Sequence, residues 1–326
     1  MPRGNAEVVE VARAVALTEG SVIRVTTPFP LGEAWTRMML RFNIVVTIGT
    51  GAGALSEGEL RFIKSIRLVT DRGENLYNNV PARLIYRLDA IKSGTPAAKD
   101  AMAAASATYR VHLNLWFVDP LMNVPEDTIL NTARYSSITL EVGVGTVADL
   151  FSAPGTATEV PTMDVYIERQ KGRLPKPIAP QFFQEVGFRG PVDPNIALSI
   201  DMERAANLAY KRLALFTGSA GSGLVGVPFS YAADSAAIGE LTLDVDSGPP
   251  VDRVLADVMN RVNKQTYKLE AVMVGWYVED FCQDGSLNAS LYSGDKSRLT
   301  QRFTLAAGAA GVAQATLGYE GWRPLF

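Results

Sequence analysis

The chain has 326 residues, of which 47% are hydrophobic, and its 31 basic and 34 acidic side chains leave a formal net charge of −3. This length accommodates two ordinary domains, and the hydrophobic fraction excludes a disordered chain. The slight excess of acid gives no general attraction to nucleic acid. A single cysteine, Cys282, excludes an intramolecular disulfide and a cysteine-based zinc site.

The first twenty residues predict an N-terminal helical arm. Val8, Val11 and Val15 recur at helical spacing, and Asn5 is suited to cap the helix. We therefore expect residues 1–20 to form a short amphipathic arm that packs on its own domain or docks on a neighbouring subunit. No basic segment followed by an apolar run marks a signal peptide at this end of the chain.

Residues 21–154 have the pattern of a first β domain. Arg37–Ile48 is apolar and β-branched, and Leu60–Thr70 ends at a turn. The stretch from residue 83 to residue 91 is compatible with a strand or a short helix. Ser137–Val144 then alternates apolar and polar residues at every step, as expected for a strand with one buried face.

Residues 155–162 are the best candidate for a linker, because this segment is small, polar and bordered by prolines. Residues 163–326 then repeat the β pattern. Leu208–Thr217 resembles the strand at Leu60–Val69, and Glu240–Asp246 alternates cleanly. The chain is thus predicted to contain two tandem β domains.

A faint internal repeat supports this duplication. Thr108–Val111 (TYRV) follows the helix-like stretch Pro96–Ala107, and Thr266–Leu269 (TYKL) follows a second helix-like stretch, Pro250–Lys264. The second helix is predicted to bury an apolar stripe made of Val251, Val254, Leu255, Val258 and Val262. Two short helices among about sixteen strands predict an all-β chain of two eight-stranded jelly-roll β-sandwiches, each with a short helix, behind the helical arm.

The sequence offers little catalytic chemistry. The only histidine, His112, lies in an alternating strand, and no G-x-S-x-G nucleophile motif accompanies it in the sequence. Glu57 with Glu59, and Asp244 with Asp246, could bind a cation or form a glycosidase dyad, but solvated strand faces produce the same spacing. We therefore predict no catalytic, cofactor-binding or metal site.

The glycine clusters are better explained as turns than as phosphate-binding loops. Gly49, Gly51 and Gly53 follow a strand, but no βαβ pattern continues from them. The clusters at 218–223 and 294–297 also lack the remaining residues of a phosphate-binding loop. The basic side chains at 169–176 are expected to contact another subunit or solvent.

Several stretches together resemble one family. They are Leu60–Val69 before a glycine turn, Tyr86-Arg87-Leu88, the helix-like stretch before Tyr109, the strand at Ile138–Val144, and the second copy after Pro161. In layout, the chain resembles the double jelly-roll major capsid proteins of tailless icosahedral bacteriophages with an internal membrane, of the tectivirus and corticovirus type. The resemblance covers nearly the whole chain.

The resemblance implies a structural, non-enzymatic protein of the virion capsid, synthesised in the host cytoplasm. Three copies would form a pseudo-hexameric capsomer, with neighbouring capsomers and minor or penton capsid proteins as partners. An internal lipid membrane would lie on the inner face, and neither a cofactor nor sequence-specific binding of nucleic acid is implied.

Two other interpretations remain open. One is a tandem β-sandwich that binds or degrades carbohydrate, with Trp116, Trp276 and Trp322 stacking on sugars. The other is a different phage structural protein, such as a spike or vertex subunit.

Overall fold

The computed structural model describes residues 6–49, 53–55, 57–95, 97–152, 154–170, 181–189, 198–205, 208–219, 238–246, 252–269, 276–305 and 312–322. These residues form mainly antiparallel β-structure with a few short helices. The chain divides into two compact units, and the boundary lies between Phe183 and Gln184. This boundary falls within a strand, downstream of the predicted linker.

The first unit contains two sheets and three short α-helices. Its strands are β1 (Ala6–Ala16), β2 (Val22–Arg24), β3 (Ala34–Thr47), β4 (Ile63–Thr70), β5 (Asn75–Val80), β6 (Ala107–Trp116), β7 (Leu130–Asn131), β8 (Ile138–Val144) and β9 (Thr158–Gln170). Its described α-helices are α1 (Gly58–Phe62), α2 (Ala82–Ser93) and α3 (Val147–Leu150), and single-turn 3-10 helices lie at Pro125–Thr128 and Thr132–Arg134. Strand β10 (Gln181–Arg189) carries the boundary between the units.

Strand β3 is the centre of the first sheet, which has the order β1-β9-β3-β6 with β7 beside one end of β3. Both neighbours of β3 are antiparallel. Alternate residues of β3 point into the core and are at most 2% exposed: Met38, Leu40, Phe42, Ile44 and Val46. The period of two in the sequence is therefore a buried face, as predicted for Arg37–Ile48.

The second sheet of this unit has the order β5-β4-β8-β2, with antiparallel neighbours throughout. Its strand β5 contacts the first sheet through Tyr77. The Tyr77 ring meets the ring of Phe117 edge to face at 6.1 Å, and its hydroxyl donates to the Trp116 carbonyl at 3.0 Å. The two sheets therefore enclose a shared core.

Strand β1 is an edge strand with an irregular outer half. Its pairing with β9 shifts register between Glu10 and Ala12 and again between Ala12 and Val15. Ala14 adopts φ 50°, in the left-handed region, and its N–H donates to Asp164 Oδ1 at 2.8 Å. These bulges interrupt the regular edge and occupy one of its free donors.

The predicted N-terminal helix was wrong, because residues 6–16 form β1. The valines of this segment are β-branched and favour strands, and pairing with β9 satisfies the backbone. The arm therefore packs on its own unit. Residues 158–162 of the predicted linker also belong to a strand, β9, which pairs with β3 over Thr47–Ala34.

The longest described helix of the first unit is α2, and the predicted helix at 96–107 was wrong. The described part of that segment is irregular, and Lys99 forms an antiparallel bridge with Val111. The Tyr109 hydroxyl donates to the carbonyls of Ala103 and Ala105, at 2.9 Å each. These contacts with β6 override the high helix propensity of the alanines.

The second unit also contains two sheets. Its strands are β11 (Leu198–Asp201), β12 (Ala209–Ser219), β13 (Ile238–Val245), β14 (Asp252–Leu255), β15 (Trp276–Asp280), β16 (Leu291–Tyr292), β17 (Leu299–Leu305) and β18 (Val312–Trp322). One sheet has β12 between β15 and β18, with β16 also beside β12. The other has the order β11-β17-β13-β14.

Helix α4 (Ala256–Thr266) exposes its apolar stripe, contrary to the prediction. Leu255, Val258 and Val262 are 55%, 44% and 41% exposed. Asn260 and Asn263 lie on the buried face instead, and among the described residues Asn260 Oδ1 and Asn263 Nδ2 have no hydrogen-bond partner. The strand predicted after Thr266–Leu269 lies largely outside the described residues.

A cluster of buried charges lies at the centre of the second unit. Arg212 on β12 is 1% exposed and faces Asp280 of β15 on one side and Glu320 of β18 on the other. Its guanidinium lies 2.7 Å from Asp280 Oδ2 and 2.6 Å from Glu320 Oε2. Lys211, buried beside it at a β-bulge, lies 3.8 Å from Glu320 Oε1.

The ion pairs of this cluster compensate for desolvation. Burial raises the pKa of the Asp280 carboxyl, but the charge of Arg212 outweighs it and holds that pKa below its usual value. The Tyr267 hydroxyl donates to Asp280 Oδ2 at 2.9 Å, and the Cys282 N–H donates to Asp280 Oδ1 at 2.9 Å. The carboxylate is thus held by hydrogen bonds on both oxygens.

We expect Phe42→Ala to lower the free energy of unfolding of the first unit by about 3–5 kcal/mol, because Phe42 is 1% exposed and its loss leaves a cavity. Urea denaturation followed by circular dichroism measures this change. Thr47→Ala, at an exposed position of the same strand, is the control and should change stability by less than about 0.5 kcal/mol. Equal losses of stability in the two variants would contradict the conclusion that the side of β3 carrying Phe42 is buried in the core.

We expect Arg212→Met to lower the free energy of unfolding by about 3–5 kcal/mol, because it leaves Asp280 and Glu320 buried with too little compensating charge. The control is Arg302→Met, whose partner Asp244 lies 2.6 Å away but whose own side chain is 42% exposed. That change should cost less than about 1 kcal/mol. Thermal and urea denaturation of both variants test the difference, and a stability loss at Arg302 as large as that at Arg212 would refute it.

Candidate functional site

The outer face of the first sheet carries the groove in which His112 lies. We call it the outer sheet face, and it comprises the outward residues of β3 and their partners on β6 and β9. Arg41 pairs with His112 and Asp164, Met39 with Asn114 and Tyr166, Arg37 with Trp116 and Glu168, and Val45 with Thr108 and Val160. The alternation that buries the inner residues of β3 places all of these on one surface.

The groove on this face has a volume of about 400 Å³ and an apolar floor. It lies over Met39 and is bordered by the segment at Ala97 and Ala98 on one side and Tyr166 on the other. Arg41 and His112 line one end.

His112 is one of the residues that line this groove. No serine, threonine or cysteine occurs among the described residues that line its groove. Partial burial lowers the pKa of His112 below its ordinary value, and the nearby charge of Arg41 lowers it further. Its backbone N–H donates to the Ala98 carbonyl at 3.0 Å, which ties the strand to the border of the groove.

A second group of contacts fixes the other end of the outer sheet face. The guanidinium of Arg37 lies 4.8 Å from the centre of the Trp116 ring and forms an ion pair with Glu168. The Trp116 indole N–H and the Asn114 amide donate to Asp89 Oδ1 at 2.6 and 3.1 Å. Burial raises the pKa of Asp89.

The two acidic pairs singled out in the sequence are engaged in ion pairs. Glu57 lies 2.5 Å from Arg87, and Glu59, fully buried, lies 2.5 Å from Lys99. Glu57 precedes α1 and Glu59 lies within it. The first three residues of the strand predicted at Leu60–Thr70 also belong to α1, and the strand itself begins at Ile63.

The other acidic pair is similarly occupied. Asp244 pairs with Arg302, while Asp246 Oδ1 accepts from the hydroxyl of Ser297 at 2.8 Å. Across the described parts of the chain, no group of three or more His, Cys, Asp or Glu residues is placed to hold a metal ion.

The three tryptophans do not form an exposed platform for sugars. Trp276 is 1% exposed, and Trp116 is held between Arg37 and Asp89. The Trp322 indole N–H donates to Ser290 Oγ at 2.8 Å. The stacking expected of Trp276 was therefore wrong, and the other two rings are held by polar contacts.

The remaining predicted features have local structural roles. A Cβ at Gly49 would lie 2.2 Å from Thr156 Oγ1, so this glycine allows two loops to approach closely. Arg169 pairs with Glu7 and Glu33 at 2.9 and 2.8 Å. The other basic residues of that cluster, and residues 51 and 220–223, lie outside the described residues.

Cys282 is a buried thiol, and the described helices are short. Cys282 is buried just after β15, and burial raises its pKa above the usual value. Among the described helices, none has the length and apolar character needed to cross a bilayer.

Sequence reasoning missed a close pair of carboxylates in the first unit. Glu159 on β9 is half-buried, and its Oε1 has neither solvent contact nor a hydrogen-bond partner among the described residues. Burial and the charge of Glu19 raise the pKa of Glu159 to about 7. Glu19 itself accepts from the Val147 N–H at 3.0 Å. No local pattern marks this pair, since the two residues are distant in sequence.

Glu159 makes the stability of the first unit depend on pH. The folded chain holds the proton of Glu159 up to about pH 7, whereas the unfolded chain releases it near the ordinary value of 4.5. The contribution of protonated Glu159 to the stability of the folded chain is complete below pH 4.5 and is lost as the pH rises through 7. We expect Glu159→Gln to raise the melting temperature at pH 8 and to leave it nearly unchanged at pH 4.5.

The control for this prediction is Glu141→Gln. Hydrogen bonding from Arg24 lowers the pKa of Glu141, so its contribution has the opposite sign and is present at neutral pH. Melting curves from pH 4.5 to 8 should show a lower melting temperature for Glu141→Gln at pH 8. If the difference in melting temperature between Glu159→Gln and the wild type did not change across this pH range, the raised pKa of Glu159 would be contradicted.

Neither a protein-family model nor a curated protein matches this sequence. Solved structures do match over the full length. The major capsid protein P2 of bacteriophage PM2 is 14% identical, with a TM-score of 0.66 and coverage of 98% of both chains. The major capsid protein of STIV is 14% identical, with a TM-score of 0.71 and coverage of 98% of this chain and 97% of that chain.

A third similar structure comes from the capsid of another virus. The capsid of PBCV-1 contains a chain that is 12% identical, with a TM-score of 0.64 and coverage of 97% of this chain and 93% of that chain. All three alignments include both units. The all-β prediction is thereby confirmed: the chain has the double jelly-roll fold of these major capsid proteins.

Proposed function

We propose that this chain is a viral major capsid protein that assembles as a homotrimer into pseudo-hexameric capsomers of an icosahedral shell. The observation that carries the proposal is a fold shared over 98% of this chain and 98% of the PM2 capsid protein, with both jelly-roll units included. A match of one unit alone would fit many β-sandwich proteins.

The presence of two jelly-roll units in each chain explains how three chains could form a pseudo-hexameric capsomer. Three chains related by a threefold axis present six similar units, and a closed ring of this kind needs extensive contact between neighbours. The outer sheet face suits such contact, because Arg37 and Arg41 already have acidic partners on it and would enter an interface with little unpaired charge.

The proposal includes the wider setting of the particle. The chain would be synthesised in the host cytoplasm and then reside in the virion capsid, beside neighbouring capsomers and minor or penton proteins. A lipid membrane beneath the shell would meet its inner face. The role is structural rather than enzymatic, which is in keeping with the structural engagement of His112, Glu57 and Glu59.

We propose that the first jelly roll includes β1 and runs through β9, because residues 163–170 pair with β3 in the first sheet. The limits expected from the sequence, an arm at 1–20, a first jelly roll at 21–154, a connection at 155–162 and a second jelly roll at 163–326, then give way to a boundary between Phe183 and Gln184. No observation favours the carbohydrate-binding alternative, since Trp276 is buried and Trp116 is engaged by Asp89.

We expect the purified chain to have a native mass of three times 35.2 kDa, about 106 kDa, in multi-angle light scattering. Negative-stain images of the same sample should show particles with a hexagonal outline. A strict monomer of 35.2 kDa at high protein concentration would contradict the proposal. Binding to a glycan array would then become the next measurement.

A further inference from the structure

The connection between β1 and β2 joins the two sheets of the first unit, and we call its residues 17–21 the strap. At its start, the Leu17 N–H donates to the Pro161 carbonyl of β9 at 3.0 Å. At its end, the Val144 N–H of β8 donates to the Ser21 carbonyl at 2.8 Å. The strap is therefore bonded to the first sheet at one end and to the second sheet at the other.

Glu19 lies in the middle of the strap and ties it to α3. Its Oε1 accepts from the Val147 N–H at 3.0 Å. The next residue, Gly20, has φ 66°, in the left-handed region that favours glycine, and its N–H donates to the Gly145 carbonyl at 2.9 Å. Glu19 itself is an exposed residue. Its side chain can therefore turn into solvent at the cost of one bond to the backbone.

Glu159 lies close enough to Glu19 to interact with its charge, but it stands on a fixed strand. It pairs with Val46 of β3, which is 2% exposed, so Glu159 points toward the inner side of the first sheet. Its Oε1 has neither solvent contact nor a hydrogen-bond partner among the described residues. Pairing with β3 continues past it to Thr158. Of the two carboxylates, Glu19 is thus the one that is free to move.

Few other charges lie on the elements around Glu159. Asp149 of α3 and Lys64 of β4 form an ion pair with each other, so their charges largely cancel. Arg13, on the bulged part of β1, is exposed, and the residues of β3 opposite this end of β9 are uncharged. Within the described part of the chain, Glu19 is therefore the charge that acts on Glu159, and both groups are acids.

We propose that the strap is a pH-sensitive switch, whose bond to α3 is kept while Glu159 is protonated and is released when Glu159 is ionised. Ionisation places a second negative charge beside Glu19 at a half-buried position. Glu19 then turns into solvent and leaves the Val147 N–H, so the strap loses its contact with α3. This inference concerns the first unit of a single chain and does not depend on the capsomer proposed above.

The switch responds to weakly acidic and neutral pH. With the strap closed, burial and the charge of Glu19 raise the pKa of Glu159 to about 7, whereas an open strap returns this pKa toward its ordinary value of 4.5. Between these values the closed strap binds more protons than the open strap, so opening becomes easier as the pH rises from 4.5 to 7. Below pH 4.5 both forms hold the proton, and the closed strap has its full stability.

Hydrogen exchange of the full-length chain, followed by mass spectrometry at pH 5 and pH 8, measures the opening of the strap. After correction for intrinsic exchange rates, we expect amides of the strap and of the start of α3 to lose protection by about tenfold at pH 8. Opening releases a proton over this range, and solvent limits the size of the effect. Unchanged protection of these amides in the wild type would overturn the inference.

Three variants identify the groups responsible. Glu159→Gln should remove the difference in strap protection between pH 5 and pH 8, and Glu19→Gln should reduce it. Glu10→Gln is the matched control, since Glu10 is an exposed glutamate on the strand before the strap, and it should keep the wild-type difference. If Glu159→Gln raised the melting temperature at pH 8 but kept the wild-type difference in strap protection, Glu159 would affect stability without controlling the strap, and the inference would fail.

Low concentrations of urea separate opening of the strap from unfolding of the whole unit. A local opening exposes little surface, so exchange of the strap should be insensitive to urea, whereas exchange of the β3 amides should accelerate. An equal dependence on urea in the strap and in β3 would mean that both exchange through global unfolding, and it would contradict a separate switch. These measurements apply equally to a monomer and to a trimer, so failure of the capsomer proposal would leave them valid.

Discussion

The antiparallel pairing of β3 with both of its neighbours is the constraint on which the first unit depends. Because β6 and β9 pair with opposite edges of β3 over Arg37–Val46, the backbone of this stretch is hydrogen-bonded on both sides. The register then dictates which residues face the core and which face outward. Moving β3 by one residue would exchange Phe42 for Arg41 in the core, which the energetics of burial forbid. The outer sheet face is thus a direct product of the pairing that builds the core.

The second unit fixes its register in another way. Arg212 sits between an acid on each neighbouring strand, at 1% exposure, so any slip of β12 against β15 or β18 would leave three buried charges unmatched. Apolar alternation alone tolerates small rearrangements of packing, whereas a buried ion cluster tolerates few. We therefore interpret Lys211, Arg212, Asp280 and Glu320 as determinants of strand order rather than as a site for a ligand.

Strands with a clean period of two could be predicted from the sequence, and β3 and β8 lie close to their predicted positions because one face of each is buried. Failures occurred where tertiary contacts outweighed local preference. Residues 6–16 join a sheet, the alanine-rich segment before Tyr109 is tied to β6, and α4 presents Val258 and Val262 outward. The pair of Glu19 and Glu159 and the Arg212 cluster could not be predicted, since they join residues that are far apart in sequence and depend on register.

The bulged edge of β1 has a consequence for solubility. An unbroken edge strand offers a row of free donors and acceptors on which further strands can add without limit. In this chain the left-handed turn at Ala14 and the bond from its N–H to Asp164 interrupt that row. Strand-by-strand polymerisation along this edge is thereby disfavoured. Contacts along this edge are therefore left to side chains rather than to a continuous backbone ladder.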